Sequence, residues 1–337
     1  MSAANLIRSR FSLEMHWGVA DPFLFTAFHK DNYPEGNANM GIKNRDLLRG
    51  RRLGSDFSRT NGWSMYHGED VPGFPQHPHL GFETITIVLE GYCDHSDSLG
   101  CKARFGQGDV QWITANRIQH CEMFPLLRED QSNPLVLFQI WLNLDSNAKD
   151  TAKPDFTVQW AEEIPHVGGA GVDVMIVAGE LEGKRALSPP QNSWAASPEH
   201  DVMILVLTLE EGREYTLPPA TKPGSYRGLF FYEGEVLEVG EETLPKKTGM
   251  ELDSARPAPL RAKKGQCKCL LLQGLPLKER VVQRGPFVTT SESKLMEAYA
   301  DYQRSQFGGW PWDTPHPVHS RDAGRFAVFP NGEKVQR

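Results

Sequence analysis

The segment from Phe82 to Leu144 most constrains the fold, because it alternates short β-forming runs with turns at intervals of about ten residues. The run Phe82–Glu90 is rich in threonine, isoleucine and valine and ends at Gly91. Further strands are predicted at Tyr92–Ser98, Ala103–Phe105, Val110–Thr114, Ile118–Phe124 and Leu135–Leu144. This spacing predicts an all-β sandwich or barrel.

A second series of strand-like segments follows Pro154. Its members are Val172–Ala178, Val202–Leu209, Arg213–Leu217, Gly228–Tyr232, Val236–Val239 and Lys268–Gln273. The repeat is one of strand spacing and not of residue identity, and it indicates a duplicated β-domain with the polar segment 145–155 as a spacer. A short C-terminal helix is predicted around Leu295–Tyr302, after the Ser/Thr-rich start Thr289–Ser293.

Two motifs, QHPH and QHCE, carry the candidate chemistry. Each places two metal-binding side chains two residues apart: His77 and His79 in the first motif, His120 and Glu122 in the second. Residues two apart on a strand share a face. On neighbouring or facing strands, three imidazoles and one carboxylate would therefore converge, which is a ligand set for a divalent transition metal.

Glu83 is the main alternative ligand, because it has the same parity as His77 and His79 unless a bulge intervenes. Cys121 is expected to face away from the ligands and to serve packing. The remaining histidines have no such partner or lie in the Pro-rich tail, where a surface role is expected: His16, His29, His67, His95, His166, His200, His316 and His319.

Composition excludes several classes of function. The length of 337 residues predicts two domains, and the net charge of -7 argues against direct nucleic-acid binding. No apolar run approaches the roughly 20 residues needed to cross a membrane, and the N-terminal sequence has no secretory signal. Five cysteines in no framework spacing predict free thiols in a reducing compartment. We therefore expect a cytoplasmic location, with the nucleus as the alternative.

The segment 32–72 is long, rich in glycine and asparagine, and weakly periodic. It carries a basic cluster, which is expected to form a solvated loop or short helix that pairs with carboxylates: Arg45, Arg49, Arg51 and Arg52. Long connections of this kind often cover a site, so we treat the segment as a candidate substrate-covering element.

The sequence resembles the pirin family of the cupin superfamily. The motifs that carry the resemblance are DPF (Asp21–Phe23), GFPQHPHLGFETITIVLEG (Gly73–Gly91), HSDSLG (His95–Gly100), GQGDVQWITA (Gly106–Ala115), HCEMF (His120–Phe124), GPFV (Gly285–Val288) and FGGWPW (Phe307–Trp312). The resemblance implies a bicupin, with two double-stranded β-helix (jelly-roll) barrels in one chain. It also implies one mononuclear metal, usually iron, in the N-terminal barrel, and its ligands fall on His77, His79, His120 and Glu122.

The expected domains are a metal-binding barrel at residues 1–147, a second barrel at 148–288, and a helix and Pro/Trp-rich tail at 289–337 that pack on the barrels. The second barrel is predicted to be metal-free, because its counterpart strand His200–Leu209 has a single histidine. Two positions depart from the family near the motifs: Asn116-Arg117 is one residue shorter than the usual Gly-Arg-Gly, and Leu80 replaces a common arginine.

The resemblance implies an Fe(II) dioxygenase of the quercetin 2,3-dioxygenase type, which cleaves a flavonol or a related enol or phenol with O2. Glu122 is the expected catalytic base. Four aromatic residues are candidates for the apolar walls of the substrate site: Phe82, Trp112, Phe124 and Trp141. The ligand types alone also admit Mn, Ni, Cu, Co and Zn.

Two alternatives remain open from the sequence. One is an iron-dependent, redox-sensing binding protein that contacts a transcription factor or a metabolic enzyme without turning over a substrate. The other is a protein that the metal only stabilises.

Overall fold

The computed structural model describes residues 5–337, which cluster into two compact units. The site unit comprises residues 28–139, 146–161 and 279–337, and the second unit comprises the residues up to Ala27 together with 140–145 and 162–278. The domain boundaries expected at residues 147 and 288 stay a prediction. Within residues 5–337, no helix has the length and apolar character needed to cross a bilayer.

The strands follow in chain order. The first nine are β1 (Ile7–Ser12), β2 (Phe23–Tyr33), β3 (Gly73–His79), β4 (Phe82–Glu90), β5 (Tyr92–Asp97), β6 (Lys102–Gly106), β7 (Asp109–Ala115), β8 (Ile118–Met123) and β9 (Asn133–Asn143). The next nine are β10 (Asp155–Gln159), β11 (His166–Val167), β12 (Val172–Ala178), β13 (Glu180–Leu181), β14 (Lys184–Arg185), β15 (Met203–Leu209), β16 (Glu214–Leu217), β17 (Tyr226–Glu233) and β18 (Val236–Val239). The last are β19 (Glu242–Pro245), β20 (Thr248–Leu252), β21 (Ala258–Lys264), β22 (Cys267–Gly274), β23 (Val282–Arg284), β24 (Phe287–Thr289), β25 (Phe326–Val328) and β26 (Lys334–Gln336).

Helices α1 (Ser146–Thr151) and α2 (Glu292–Ser305) accompany the strands. Short 3-10 turns lie at Arg45–Leu48, Thr60–Gly62, Trp194–Ala196, Pro198–His200, Gln306–Gly308 and Arg321–Ala323. The chain is therefore mostly β, as the sequence predicts.

The second unit contains a seven-stranded sheet in the order β1-β20-β17-β22-β15-β12-β11 and a four-stranded sheet in the order β16-β21-β18-β19. Apolar side chains of both sheets form one buried core. Cys267 and Cys269 on β22 belong to that core, and all five cysteines of the chain are free and buried. Both side chains therefore serve packing.

The site unit contains a six-stranded sheet in the order β26-β25-β6-β5-β8-β3 and a five-stranded sheet in the order β10-β7-β4-β9-β2. Residues of both sheets share a core that includes Phe105, Ile113, Ile118 and Leu137. The six-stranded sheet carries both candidate metal motifs, on its neighbouring strands β3 and β8.

The observed elements follow the predicted ones closely where β propensity is high. Strands β4, β12 and β18 have the predicted bounds. Helix α2 is also confirmed, and the hydroxyl of Ser291 caps it by accepting from the backbone N–H of Lys294.

The predicted spacer at 145–155 was wrong in one respect, because it contains helix α1. The amide nitrogen Nδ2 of Asn116 donates to the carbonyls of Lys149, at 3.1 Å, and Ala152, at 2.8 Å. It therefore satisfies carbonyls at the C-terminal end of that helix. This contact gives the departure from the family motif at Asn116 a structural role.

The segment 32–72 is packed through buried charge. Arg51 forms an ion pair with Asp56, with Nη1 2.7 Å from Oδ2, and both side chains are almost fully buried. The guanidinium also lies 3.4 Å from the ring centroid of Trp63. The expected pairing with carboxylates is confirmed for Arg45 with Asp70, for Arg49 with Asp46 and for Arg51 with Asp56. Arg51, however, is not part of a solvated loop.

Candidate metal centre

Three histidines meet on one face of the six-stranded sheet. His77 on β3 is the register partner of His120 on β8, and His79 follows His77 by two residues on the same strand. Their ring centroids are 4.5 Å apart for His77 and His120, 4.7 Å for His77 and His79, and 4.8 Å for His79 and His120. One ligand atom of each histidine lies within 4.8 Å of the others. The convergence of these three predicted residues is thus observed.

A hydrogen bond to the backbone two residues earlier fixes the tautomer of His77. Its Nδ1 lies 2.8 Å from the carbonyl oxygen of Pro75, an acceptor, so Nδ1 carries the proton. Nε2 then keeps its lone pair and points at Nε2 of His120, 2.9 Å away. A histidine whose one ring nitrogen is fixed by a hydrogen bond and whose other nitrogen is free to ligate is the common arrangement in metal sites.

Burial keeps the histidines neutral. It lowers the pKa of His77 to about 4, and it lowers the pKa values of His79 and His120 well below the usual range. A protonated imidazole would lose hydration here, so the neutral form with a free lone pair prevails. Metal ligation requires that form.

Glu122 shares the inward face of β8 with His120. Its Oε2 lies 4.0 Å from Nε2 of His120 and accepts from Nε2 of Gln139 at 3.0 Å. Oε1 lies 2.9 Å from the hydroxyl of Thr86. Burial raises the pKa of Glu122, so a nearby cation would stabilise its charged form. Glu122 is thus next to the histidines, and its role as a ligand stays a prediction.

Glu83 lies on the other face of its strand. Neighbouring Phe82 packs against His79, with 5.0 Å between the ring centroids. Successive side chains of β4 alternate in direction, so Glu83 points away from the histidines. Its carboxylate accepts from the hydroxyl of Thr114 at 3.3 Å. Glu83 is therefore not the reserve ligand that parity with His79 allowed.

The sequence interpretation was wrong for two histidines. His95 was expected to have no partner two residues away, and His319 was expected to have a surface role. His95 is fully buried, its ring lies 5.5 Å from that of His120, and its Nε2 is 3.1 Å from Oδ2 of Asp97. His319 is partly buried, and its Nε2 lies 3.0 Å from the carbonyl oxygen of His95. The signal for His95 was its i, i+2 spacing to Asp97, the same spacing that identified the ligands.

The four residues proposed as apolar walls of the substrate site do not lie together in the structure. Phe82 contacts His79, and Phe124 packs against Phe74 at 6.1 Å. Trp112 lies on the opposite face of β7 from Gln111, the register partner of Thr86, and therefore faces away from Glu122. Trp141 packs against Phe25, with 4.8 Å between the ring centroids.

The segment 32–72 reaches the first residues of β3. The ring of Tyr66 stacks on Phe74 at 5.2 Å, and Phe74 is the register partner of Glu122. The Tyr66 hydroxyl donates to Asp31 at 2.7 Å, and burial raises the pKa of Asp31 to about 6. The segment thus contacts the strand that carries two candidate ligands, while its role as a substrate cover stays a prediction.

The donor set fits a divalent transition metal. Three neutral imidazoles and one carboxylate supply borderline nitrogen ligands and one negative charge. His120 Nδ1 is buried and has no hydrogen-bond partner among residues 5–337, which is costly for a polar atom in a core. A proton on this Nδ1 would leave Nε2 of His120 with a lone pair that faces the lone pair of His77 Nε2 at 2.9 Å, and a cation bound to both nitrogens would remove that repulsion.

The chain is similar to known proteins over about 70% of its length. The family model for pirin matches residues 16–142, and the model for the pirin C-terminal cupin domain matches residues 204–308. A pirin-like protein of Solanum lycopersicum is 34% identical over 238 residues, covering 70% of this chain and 77% of that protein. A Pseudomonas aeruginosa protein provisionally named quercetin 2,3-dioxygenase is 34% identical over 237 residues, covering 69% and 79%.

Among solved structures, a quercetin 2,3-dioxygenase from Acinetobacter baumannii superposes with a TM-score of 0.69. It is 24% identical, and the match covers 91% of this chain and 99% of that one. At this identity the likeness shows the fold, which is a bicupin.

Proposed function

Because this chain belongs to the pirin family, we propose that it is a mononuclear iron protein and a dioxygenase of the quercetin 2,3-dioxygenase type. The observation that carries the proposal is the buried histidine cluster, in which Nε2 of His77 and Nε2 of His120 are 2.9 Å apart. The provisional name of the Pseudomonas aeruginosa relative supports the choice of reaction.

We propose His77, His79, His120 and Glu122 as the residues that hold the ion. Fe(II) at this position would supply a Lewis acid with open coordination positions for O2 and for a substrate oxygen. Mn, Ni, Cu, Co and Zn accept the same donors, so the identity of the metal belongs to the test.

Glu122 is proposed as the base that takes the 3-hydroxyl proton of a flavonol. Gln139 donates to Oε2 of Glu122, and the hydroxyl of Thr86 lies beside Oε1. These contacts fix the plane of the carboxylate, and burial raises its pKa, which increases its affinity for a proton. Phe82, buried against His79, offers an apolar surface beside the reacting group.

The test is aerobic turnover of quercetin by the iron-loaded protein. We expect loss of the flavonol absorbance and consumption of O2, both abolished by His77→Ala and unchanged by His166→Ala. His166 is an exposed histidine of the second unit and makes a matched control. Flavonol loss no faster than in the His77→Ala variant would reject this activity. Metal binding without turnover would instead favour the redox-sensing binding protein.

A further inference from the structure

The outward face of β8 is covered by the end of the chain. Side chains that alternate with His120 and Glu122 point to this face. Two of them, Cys121 and Met123, form an apolar cluster with Trp310 and Val318. The C-terminal segment, defined here as residues 306–323, therefore lies directly behind the strand that carries two candidate ligands.

Gln119 is the polar centre of this contact. It is fully buried, and its Oε1 accepts from Nε2 of Gln76 at 2.8 Å and from the hydroxyl of Tyr302 at 3.1 Å. Its Nε2 donates to the carbonyl oxygens of Gln306, at 2.5 Å, and Gly309, at 3.1 Å. A glutamine amide has two donors and two acceptor positions, and all four are used here.

The two glutamines joined by this hydrogen bond each precede a candidate ligand in the sequence. Gln76 directly precedes His77, and Gln119 directly precedes His120. The bond between Gln76 and Gln119 therefore joins β3 to β8 one residue away from the pair whose Nε2 atoms are 2.9 Å apart.

Hydrogen bonds from side chains are important for strand β3, because few backbone hydrogen bonds join it to β8. Pro75 and Pro78 have no N–H to donate, and the register of β3 against β8 shifts between Phe74 and His77. The backbone N–H of Gln76 donates to the carbonyl of Pro315 in the C-terminal segment, at 2.7 Å. A strand with two prolines and a bulge depends on side-chain hydrogen bonds and on contacts with neighbouring segments to keep its position.

We propose that Gln119 is a positioning residue of the metal centre, tying β3 and β8 to the C-terminal segment and so fixing the separation of the His77 and His120 side chains. The inference rests on the metal site proposed above. A glutamine that only fills the core would affect the free energy of unfolding. A positioning glutamine also sets how fast the folded protein releases its metal and how symmetric the ligand field is.

The experiment uses the full-length protein loaded with Co(II) as a spectroscopic probe. We compare the visible d–d spectrum and the rate of Co(II) release into excess chelator for the natural protein and for Gln119→Met, which keeps the size of the side chain and removes the amide. We expect an altered spectrum and release about 10-fold faster, since outer residues that orient ligands typically contribute roughly 10- to 100-fold to metal affinity.

Two glutamines provide controls. Gln336 also donates to two backbone carbonyls, those of Ala323 at 2.7 Å and Arg325 at 2.9 Å, but it is exposed. Gln273 lies in the second unit and is buried, so Gln273→Met matches the loss of a buried amide. Both Gln336→Met and Gln273→Met should release Co(II) at the natural rate, even where Gln273→Met lowers the melting temperature.

The outcomes separate the two proposals. If the natural protein binds no Co(II), the metal site is wrong and this inference fails with it. If the natural protein binds Co(II) and Gln119→Met releases it at the natural rate with an unchanged spectrum, only the positioning role is wrong. Should Gln119→Met not fold, Gln76→Met and Tyr302→Phe each remove one of its bonds, and faster release is expected from both. Natural release rates in these two variants would equally overturn the inference.

Discussion

At the scale of residues, the site depends on neutral imidazoles held close together away from water. His79 and His120 are almost fully buried, and Nε2 of His120 lies 2.9 Å from Nε2 of His77. The sequence predicted the three histidines because strand parity reports which side chains share a face. It did not identify Thr86 and Gln139, because their contacts with Glu122 join residues of the other sheet to β8.

The metal-free protein should lose stability as the pH falls from about 6.5 towards 4. The unfolded chain protonates histidine near pH 6.5, whereas burial lowers the pKa of His77 to about 4. Between these values the unfolded state binds more protons, so the free energy of unfolding decreases with falling pH. His79 and His120 act in the same direction. Glu122, whose pKa is raised, acts in the opposite direction as a single group.

Urea unfolding of chelator-treated protein at several pH values between about 7.5 and 4 measures this slope. The variant His77→Ala should show a smaller slope than the natural protein, since it removes one of the groups responsible. A slope that is equal in the two proteins would contradict the assignment of the pH dependence to His77.

Thr86→Val should weaken metal binding by about 10-fold. Val is close in shape to Thr, and it removes the hydroxyl that lies 2.9 Å from Oε1 of Glu122. Thr84→Val is a matched control, because Thr84 is buried on the same face of β4 and its hydroxyl has no hydrogen-bond partner in the described part of the chain. Titration with a competing chelator measures both affinities, and equal losses in the two variants would argue against a specific role for Thr86.

At the scale of elements, the turn after β3 is positioned by β24. The backbone N–H of Leu80 donates to the carbonyl of Pro286 at 3.1 Å, and that of Val288 donates to the carbonyl of Leu80 at 2.8 Å. Gly81 follows with a φ of 90°, and a Cβ at this position would collide with the carbonyl oxygen of Val288. The glycine thus allows β24 to approach the end of the strand that carries His77 and His79.

Gly81→Ala should destabilise the protein more than Gly100→Ala. Gly100 has a similar φ of 83°, but a Cβ added to it would meet no described atom within 4 Å, so its substitution costs only the left-handed backbone, about 1–2 kcal/mol. Gly81→Ala adds steric overlap worth roughly a further 1–3 kcal/mol. Denaturant unfolding measures the free energy of unfolding of both variants. Equal destabilisation would show that β24 can move away from residue 81 without a loss of stability.

The elements predicted from sequence are those whose local pattern and tertiary setting agree. Strand β4 is a run of β-formers bounded by glycine, and its bounds were predicted correctly. Strand β1, with the sequence IRSRFS, was not predicted, because mostly exposed polar residues obscure the alternation and its partner β20 is distant in sequence. Helix α1 has six residues and depends on contacts such as that with Asn116.

At the scale of the whole molecule, the two units differ in chemistry although both are built from antiparallel sheets. Spacing of strands indicated the duplication, and the position of the histidine motifs indicated which barrel would hold a metal. The way in which residues 279–337 join the site unit could not be read from a local pattern. It depends on long-range contacts such as that between Gln119 and Gly309.

Metal should stabilise the folded protein. A ligand that binds only the folded state at about 100 times its Kd adds about 2.7 kcal/mol to the free energy of unfolding. Chelation should therefore lower the melting temperature, and return of the metal should restore it in proportion to the logarithm of its concentration. The variant His120→Ala should melt at the same temperature with and without metal, and a metal-dependent shift in this variant would place the ion elsewhere.

Elemental analysis of the protein purified from its own source without added metal tests the central claim most directly. We expect one transition-metal ion per chain, with iron predominant, and almost none in the double variant His77→Ala/His120→Ala. A metal-free natural protein, or equal metal content in the natural protein and the double variant, would contradict the account.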